Sequence, residues 1–413
     1  MPEDSELKKE LTVRGIENAV GIRPPSFKVY RANKGKMCIP RYFGRDRFGI
    51  PEDRRPEPTR ADILFNGRLR DFQTDAHKAF MDSPSGGVLS VYCGGGKTTI
   101  ALAIASSIRL RTMVIVHKEF LANQWRDRIR QFCPGASIGL VQGDRCELEH
   151  DFVIGMIQTM CQREHPPGTF DSIGLLIVDE AHHIGAPAFS QFMFKLCPKY
   201  TLGLTATPER KDGLTRLLYW FLGPEFFRLE RTNQRHVKVN KIEFRCEEFK
   251  KPAPLNRIGQ LSLVDMVTSL CEIPQRNKIL TDIIEANQNR RILLLTDRRS
   301  HCFDLQNQVV DSALYIGGMN EKDLETSSKA RVILATFSQA HEGLDIPALD
   351  TVILATPHSD VKQAVGRILR GANDPLIFDI VDTWSILPNM WRKRLAMYQE
   401  SGFDVPVTQC LFK

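Results

Sequence analysis

The sequence predicts an α/β protein with two tandem parallel-sheet domains behind a small N-terminal accessory segment. Three observations predict it. From Phe65 onward, apolar runs of strand length alternate with longer helical segments. The runs are apolar on both faces, as in strands covered by helices above and below. The alternation breaks between Pro224 and Pro254 and then resumes. A length of 413 residues is also more than one ordinary core accommodates.

Composition excludes several classes. Hydrophobic residues at 42% and charged residues at 25% are those of a soluble globular chain. No apolar run approaches the ~20 residues that span a bilayer, so no membrane partner is expected. The start, Met1 to Glu6, is acidic and polar, unlike a signal peptide, and an intracellular setting is expected. The ten cysteines are scattered, the closest pair being Cys133 and Cys146, so neither a zinc site nor an iron–sulfur cluster is expected.

Residues 1–65 form the accessory segment. Residues 1–70 hold 16 Lys/Arg against 10 Asp/Glu, most of the chain's net +7, which hints at a polyanionic partner. Phe27 to Tyr30 and Met37 to Pro40 are expected as strands around a turn at Asn33–Lys36. Phe27, Tyr30, Tyr42 and Phe43 among these basic residues suit either a nucleic-acid surface or a hairpin docked on the next domain; the docked hairpin is favoured. Pro51 to Pro58 has the composition of a linker.

The first α/β domain is expected over 66–228. Val88 to Val91 is its first strand, followed by Cys93, Gly94, Gly95, Gly96, Lys97, Thr98 and Thr99 and then a helix. Glycines let backbone N–H groups converge on an anion, and the helix start adds its positive dipole end. Lys97 would reach the β- and γ-phosphates of a nucleotide, and Thr98 would ligate Mg²⁺. Val91 stands where the full pattern has glycine. Further strands are expected at Thr112–His117, Phe152–Met156, Ile173–Val178 and Thr201–Leu204. Helices are expected near Ala101–Ile108, Phe120–Phe132 and Ala188–Leu196. The strand at Ile173–Val178 ends in Asp179-Glu180-Ala181-His182. Ligands of α/β sheets sit beyond the carboxyl ends of strands. Asp179 there could hold Mg²⁺, and Glu180 could activate water.

Residues 229–255 alternate with period two near Lys238–Phe244 and are expected as an extended interdomain linker. The second α/β domain is expected over 256–413. Its strands are placed at Arg291–Thr296, Ala313–Ile316, Val332–Thr336, Val352–Thr356 and Leu376–Val381, with a late helix near Asn389–Gln399. It has no glycine-rich Lys-Thr loop.

Four stretches in order, Gly94–Thr98, Asp179–His182, Thr205-Ala206-Thr207-Pro208 and Gln363 to Arg370, resemble the motif set of superfamily 2 helicases. Leu69-Arg70-Asp71-Phe72-Gln73 and Gly203 to Gly213 resemble the XPB-like branch. Ile39 to Gly44 resembles transcript-release helicases of poxviruses and other large DNA viruses. The resemblance implies two RecA-like domains with ATP and Mg²⁺ in the cleft between them, and nucleic-acid-dependent ATP hydrolysis driving unwinding or translocation. DNA is the preferred partner, with RNA as the alternative, and transcription or repair proteins are candidate partners. A viral origin would place it in the host cytoplasm or nucleus, or in the virion. A duplex translocase that separates no strands, a double-stranded RNA helicase and a nucleotide-switched binding module stay open.

By the same resemblance, Gln73 would select adenine. Lys118, Gln158, Thr159, Thr296 and Thr336 would touch nucleic acid. Thr205 and Thr207 would couple nucleotide state to movement, and Gly343 and Asp345 would approach ATP. Arg367 and Arg370 are three apart and so share a helix face, with Gln363 four residues before Arg367. Their guanidinium forks suit charge developing on the γ-phosphoryl group. Trp125 and Trp384 are expected as core or surface aromatics without a chemical role.

Overall fold

The computed structural model describes residues 5–16, 24–33, 35–92, 94–183, 186–210, 212–230, 237–257, 259–342, 346, 348–359, 361–368, 374–406 and 411–412. The chain divides into two compact units, residues 1–231 and 232–413.

The first unit begins with α1 (Ser5–Glu10) and β1 (Thr12–Val13). Next come β2 (Phe27–Lys28), β3 (Arg31–Asn33), β4 (Lys36–Cys38) and α2 (Arg41–Phe48). The expected turn is present, because Gly35 takes φ +73° between β3 and β4. The strand expected at Phe27–Tyr30 is divided. Phe27 and Lys28 pair with β1, and Val29 is fully buried. The aromatic residues dock this segment. The Tyr42 hydroxyl donates to Ser85 O at 2.9 Å and lies 2.7 Å from Thr201 Oγ1. Phe43 meets Trp220 edge-on at 5.0 Å. Both are buried against the α/β core, so Tyr42 and Phe43 are packing residues and present no face to a polyanion.

That core runs through α3 (Asp71–Met81), β5 (Gly86–Val91), α4 (Lys97–Ile108), β6 (Thr112–Val116) and α5 (Glu119–Phe132). It continues with β7 (Ile138–Gln142), β8 (Arg145–Cys146), β9 (Phe152–Met156) and α6 (Ile157–Gln162). It closes with β10 (Leu175–Val178), α7 (Ala186–Met193), β11 (Tyr200–Thr205), α8 (Arg216–Leu222) and β12 (Glu225–Leu229). The sheet order is β12-β5-β11-β10-β6-β9-β7-β8. Every pairing is parallel except the β7–β8 hairpin. Strands β5, β6, β9 and β10 are buried at every residue, and separate apolar clusters cover the two faces, as their continuous apolar runs require. Strands β7 and β12 were not expected. Each lies toward a sheet end and mixes polar or glycine residues with apolar ones, which dilutes the pattern.

The second unit holds β13 (Lys238–Phe244), α9 (Leu263–Cys271), α10 (Pro274–Ala286), β14 (Ile292–Thr296), α11 (Arg299–Gln306) and β15 (Ser312–Tyr315). Then follow α12 (Glu321–Ser327), β16 (Val332–Thr336), α13 (Phe337–Glu342), β17 (Thr351–Leu354), α14 (Lys362–Ile368), β18 (Leu376–Asp382), α15 (Leu387–Glu400) and β19 (Leu411–Phe412). Its sheet, β15-β16-β14-β17-β18-β13-β19, is parallel throughout. Residues 238–244, expected within a linker, are a full strand, in register with β18 from Lys238↔Leu376 to Phe244↔Asp382. The alternation marks a half-buried strand whose partner comes much later in the chain. Two buried ion pairs pin helices to β18. Arg276 grips Asp382 at 2.8 and 2.9 Å, and Arg394 grips Asp379 twice at 2.8 Å.

Candidate functional site

A parallel sheet puts all strand C-termini at one edge. In the first unit the loops after β5, β11, β10, β6 and β9 therefore stand side by side in that order. Most of the expected site residues of this unit lie on those loops.

The glycine loop between β5 and α4 is held by its own backbone and by α3. Gly96 caps α4 at φ +81° and ψ 37°, left-handed backbone that favours glycine. A Cβ at this position would stand 2.4 Å from Gln73 Nε2. Gln73 is 3% exposed. Its Oε1 accepts from Arg70 N at 2.9 Å, and its Nε2 donates to Gly95 O at 2.9 Å. Arg70 Nη2 donates to the same carbonyl at 2.7 Å. The Nε2 end of the Gln73 amide thus holds the loop, and the Oε1 end caps the start of α3. Lys97 opens α4, with Thr98 and Thr99 half-buried behind it. Its Nζ lies 3.3 Å from Val91 O and 3.9 Å from Glu180 Oε1. Cys93 lies outside the described residues.

Asp179 continues β10 by one ladder bond, its N–H donating to Ile115 O at 3.0 Å. Both carboxylate oxygens have donors. Oδ1 accepts from Glu180 N at 3.0 Å, and Oδ2 accepts from Trp125 Nε1 at 2.8 Å. Burial first, then the Glu180 charge, push its pKa up to about 6, while Trp125 and Lys97 oppose the shift. Glu180 sits at φ +44°, uncommon for a residue with a side chain. This sharp turn points its carboxylate between Lys97 Nζ, 3.9 Å from Oε1, and His182 Nδ1, 3.5 Å from Oε2.

From His182 the contacts cross to the next strand. Thr205 Oγ1 donates to Thr207 O at 2.8 Å and accepts from Thr207 N at 3.1 Å. Its hydrogen is then committed, so His182 Nδ1, 2.9 Å away, is the donor of their shared bond. Lys97, Glu180, His182, Thr205 and Thr207 form one connected chain of polar contacts. His182 was quoted in its motif but given no role from sequence.

On β6 and β9 the expected nucleic-acid residues are also neighbours. Lys118 caps α5, and burial lowers its pKa. Gln158 is exposed and donates from Nε2 to His117 O at 2.8 Å, tying the two loops together. Thr159 Oγ1 accepts from Gly143 N at 3.0 Å.

In the second unit the two expected threonines close β14 and β16. Thr296 is fully buried, its hydroxyl 2.9 Å from His301 Nδ1. Thr336 is 6% exposed, its hydroxyl 3.2 Å from Ser338 Oγ. Each hydroxyl thus has a side-chain partner inside the unit. Side chains alternate along a strand, and position 296 falls on the face covered by α11. The backbone of α14 carries Gln363 and Arg367 one helical turn apart. Gly343, Asp345 and Arg370 lie outside the described residues, as do the side chains of Gln363 and Arg367.

Residues 66–210 match the family model of the type III restriction enzyme res subunit. A protein of Acanthamoeba polyphaga mimivirus that bears the name ATP-dependent RNA helicase is 33% identical over 404 residues, covering 91% of this chain and 78% of that protein. The chain belongs to helicase superfamily 2. A relative of this helicase in Invertebrate iridescent virus 6, itself named as a helicase, is 27% identical over 372 residues, covering 82% of each. Among solved structures, the Pyrococcus furiosus Hef helicase domain matches with a TM-score of 0.51 at 14% identity, over 80% of this chain and 98% of that one. That likeness shows the shared fold. By its membership of that superfamily, the helicase is an enzyme that uses ATP and binds nucleic acid. Among its described residues no helix is long and apolar enough to cross a membrane.

Proposed function

We propose that the helicase hydrolyses ATP with Lys97, Thr98, Asp179 and Glu180, and couples the reaction to unwinding DNA or DNA–RNA hybrids. One observation carries this reading. Glu180, set at φ +44°, holds its carboxylate 3.9 Å from the phosphate-loop lysine and 3.5 Å from the His182 ring that bonds to Thr205. A passive nucleotide binder needs the phosphate-binding lysine but no water-activating carboxylate beside it, whereas a hydrolase needs both.

The residues suit Mg²⁺. Among the described residues no group of three or more His, Cys, Asp or Glu could cage a metal. That fits an ion held by one carboxylate and one hydroxyl together with substrate phosphates. Asp179 and Thr98 would be those protein ligands. The ionised Asp179, desolvated and beside Glu180, is a carboxylate that a cation would stabilise. When bound, Mg²⁺ would neutralise phosphate charge. Lys97 would hold the phosphates, and Glu180 would orient a water and take its proton. Arg367 and Arg370 would stabilise charge on the γ-phosphoryl group, beside Gln363. Thr205 and Thr207 would transmit the nucleotide state, and Gly343 and Asp345 would approach the nucleotide. Lys118, Gln158 and Thr159 would grip a sugar–phosphate backbone, giving sequence-independent, salt-sensitive binding.

The mimivirus relative's name favours a second substrate, RNA. The deciding experiment measures ATP turnover with single- and double-stranded DNA, RNA and hybrid, beside strand- and triplex-displacement assays. We expect DNA to stimulate most and strands to separate. Stimulation by duplex RNA alone would move the substrate to RNA. Triplex displacement without strand displacement would make the enzyme a duplex translocase. No turnover with any nucleic acid would end the hydrolase reading.

A further inference from the structure

Of the two donors described for the Asp179 carboxylate, one is a side chain from a distant part of the chain, the indole of Trp125. It sits on α5, 2% exposed, with its Nε1 2.8 Å from Asp179 Oδ2. An indole N–H only donates, and buried it needs an acceptor. Here the acceptor is the carboxylate itself. The other oxygen, Oδ1, accepts from Glu180 N at 3.0 Å. Two donors on two oxygens set the carboxylate plane. The backbone donor comes with the strand end, while the side-chain donor depends on one residue.

That residue has little freedom. Leu121, Ala122, Trp125 and Ile129 form the buried face of α5 and belong to the apolar cluster on that side of the sheet. A ring wedged there holds Nε1 in place and makes the bond to the carboxylate a fixed strut. Aromatic packing alone does not require this polar atom to meet the carboxylate at the strand end. A phenylalanine would keep an aromatic ring in this apolar cluster, though a smaller one, and leave Oδ2 without its donor.

We propose that Trp125 is a positioning residue for Asp179, fixing the carboxylate in the orientation that receives a divalent cation. This rests on the reading of Asp179 as a metal-holding carboxylate. Groups that orient metal ligands typically cost 10–100-fold in metal affinity when removed.

The test is Trp125→Phe, with binding of a fluorescent ADP analogue measured across a Mg²⁺ titration and in EDTA. We expect the Mg²⁺ concentration at half-effect to rise about tenfold, with nucleotide affinity in EDTA unchanged. Trp220→Phe, which alters the contact with Phe43, should leave the Mg²⁺ midpoint where it was. A second measurement uses the unmutated protein and does not depend on the variant folding. With ¹⁵N-labelled indoles, assigned by replacing Trp220, Trp384 and Trp391 in turn, the Trp125 resonance should shift with Mg²⁺ and ADP together and not with ADP in EDTA. A wild-type Mg²⁺ midpoint in Trp125→Phe would overturn the proposal. So would an equal loss of nucleotide affinity with and without Mg²⁺, or an indole resonance indifferent to the metal. If the wild-type protein shows no Mg²⁺-dependent nucleotide binding, the metal reading falls and takes this inference with it.

Discussion

Nε2 of Gln73 donates to the carbonyl of Gly95 across 2.9 Å, and Oε1 of the same side chain accepts from the backbone of Arg70. The amide is a brace between α3 and the phosphate loop. A brace serves any nucleotide, whereas an adenine-reading amide serves one. Gln73→Ala should therefore weaken ATP and GTP alike, each by about tenfold, the value of one or two buried hydrogen bonds. Equilibrium binding of both nucleotides checks this. A loss confined to ATP would restore adenine selection to Gln73.

Glu180 and Lys97 are expected to fail differently. Glu180→Gln keeps the shape of the turn and removes the base, so nucleotide binding should persist while turnover is lost. Lys97→Ala removes the phosphate contact and should reduce both. Arg370→Ala should bind ATP normally and lose ~10³ in turnover, if it acts as an arginine finger. Single-turnover hydrolysis beside nucleotide binding separates the three outcomes. Near-wild-type turnover in Arg370→Ala would remove that role.

The strained electrostatics of Asp179 have a sign. Its folded pKa, about 6, is raised above the ordinary 3.8 by burial and by Glu180. A carboxyl raised in this way favours folding only while protonated. Its contribution is fully present below about pH 4 and is lost as pH rises through about 6, at a cost of about 3 kcal/mol above that. Asp179→Asn cannot ionise but turns an amide N–H toward one of its two donors at every pH, so its thermal midpoint relative to wild type should be more favourable at pH 7.5 than at pH 4. Calorimetry at the two pH values is the check. The same midpoint difference at both pH values would show that ionisation of Asp179 does not oppose folding.

Much of the first unit was legible because its signals are local. The phosphate loop is a run of glycines before a helix, and Asp179-Glu180 ends an apolar strand, so each could be recognised without knowing its partners. The strand Phe152–Met156 has the bounds expected, an apolar run that starts directly after Asp151. What the sequence hid depends on pairs far apart in the chain. Trp125 has the spacing of a core residue on α5, and only the folded structure brings its one polar atom to Asp179. Strand β13 looked like free extended chain because β18, its partner, begins only at Leu376. Tyr42 and Phe43, among many basic residues, suited a surface as well as they suited a docking contact.

The same kind of pairing bears on one expected nucleic-acid contact. Asn277 Nδ2 donates to Cys271 O at 2.7 Å, so its Oδ1 faces His301 Nε2 as an acceptor at 2.9 Å. Nε2 then carries the ring hydrogen, because burial pushes the His301 pKa down to about 3 and keeps the ring neutral. Nδ1 is left to accept from the Thr296 hydroxyl at 2.9 Å. The hydroxyl hydrogen is committed inside the second unit. Thr296→Val should therefore leave nucleic-acid affinity unchanged. It should lower stability by about 1–3 kcal/mol, because His301 Nδ1 loses its donor. Lys118→Ala should do the reverse, keeping stability while weakening binding to all sequences and reducing the slope of log affinity against log salt by about one. Salt titrations of oligonucleotide binding beside urea unfolding separate the two. A Thr296→Val protein that unfolds like wild type but binds nucleic acid poorly would return Thr296 to the binding surface.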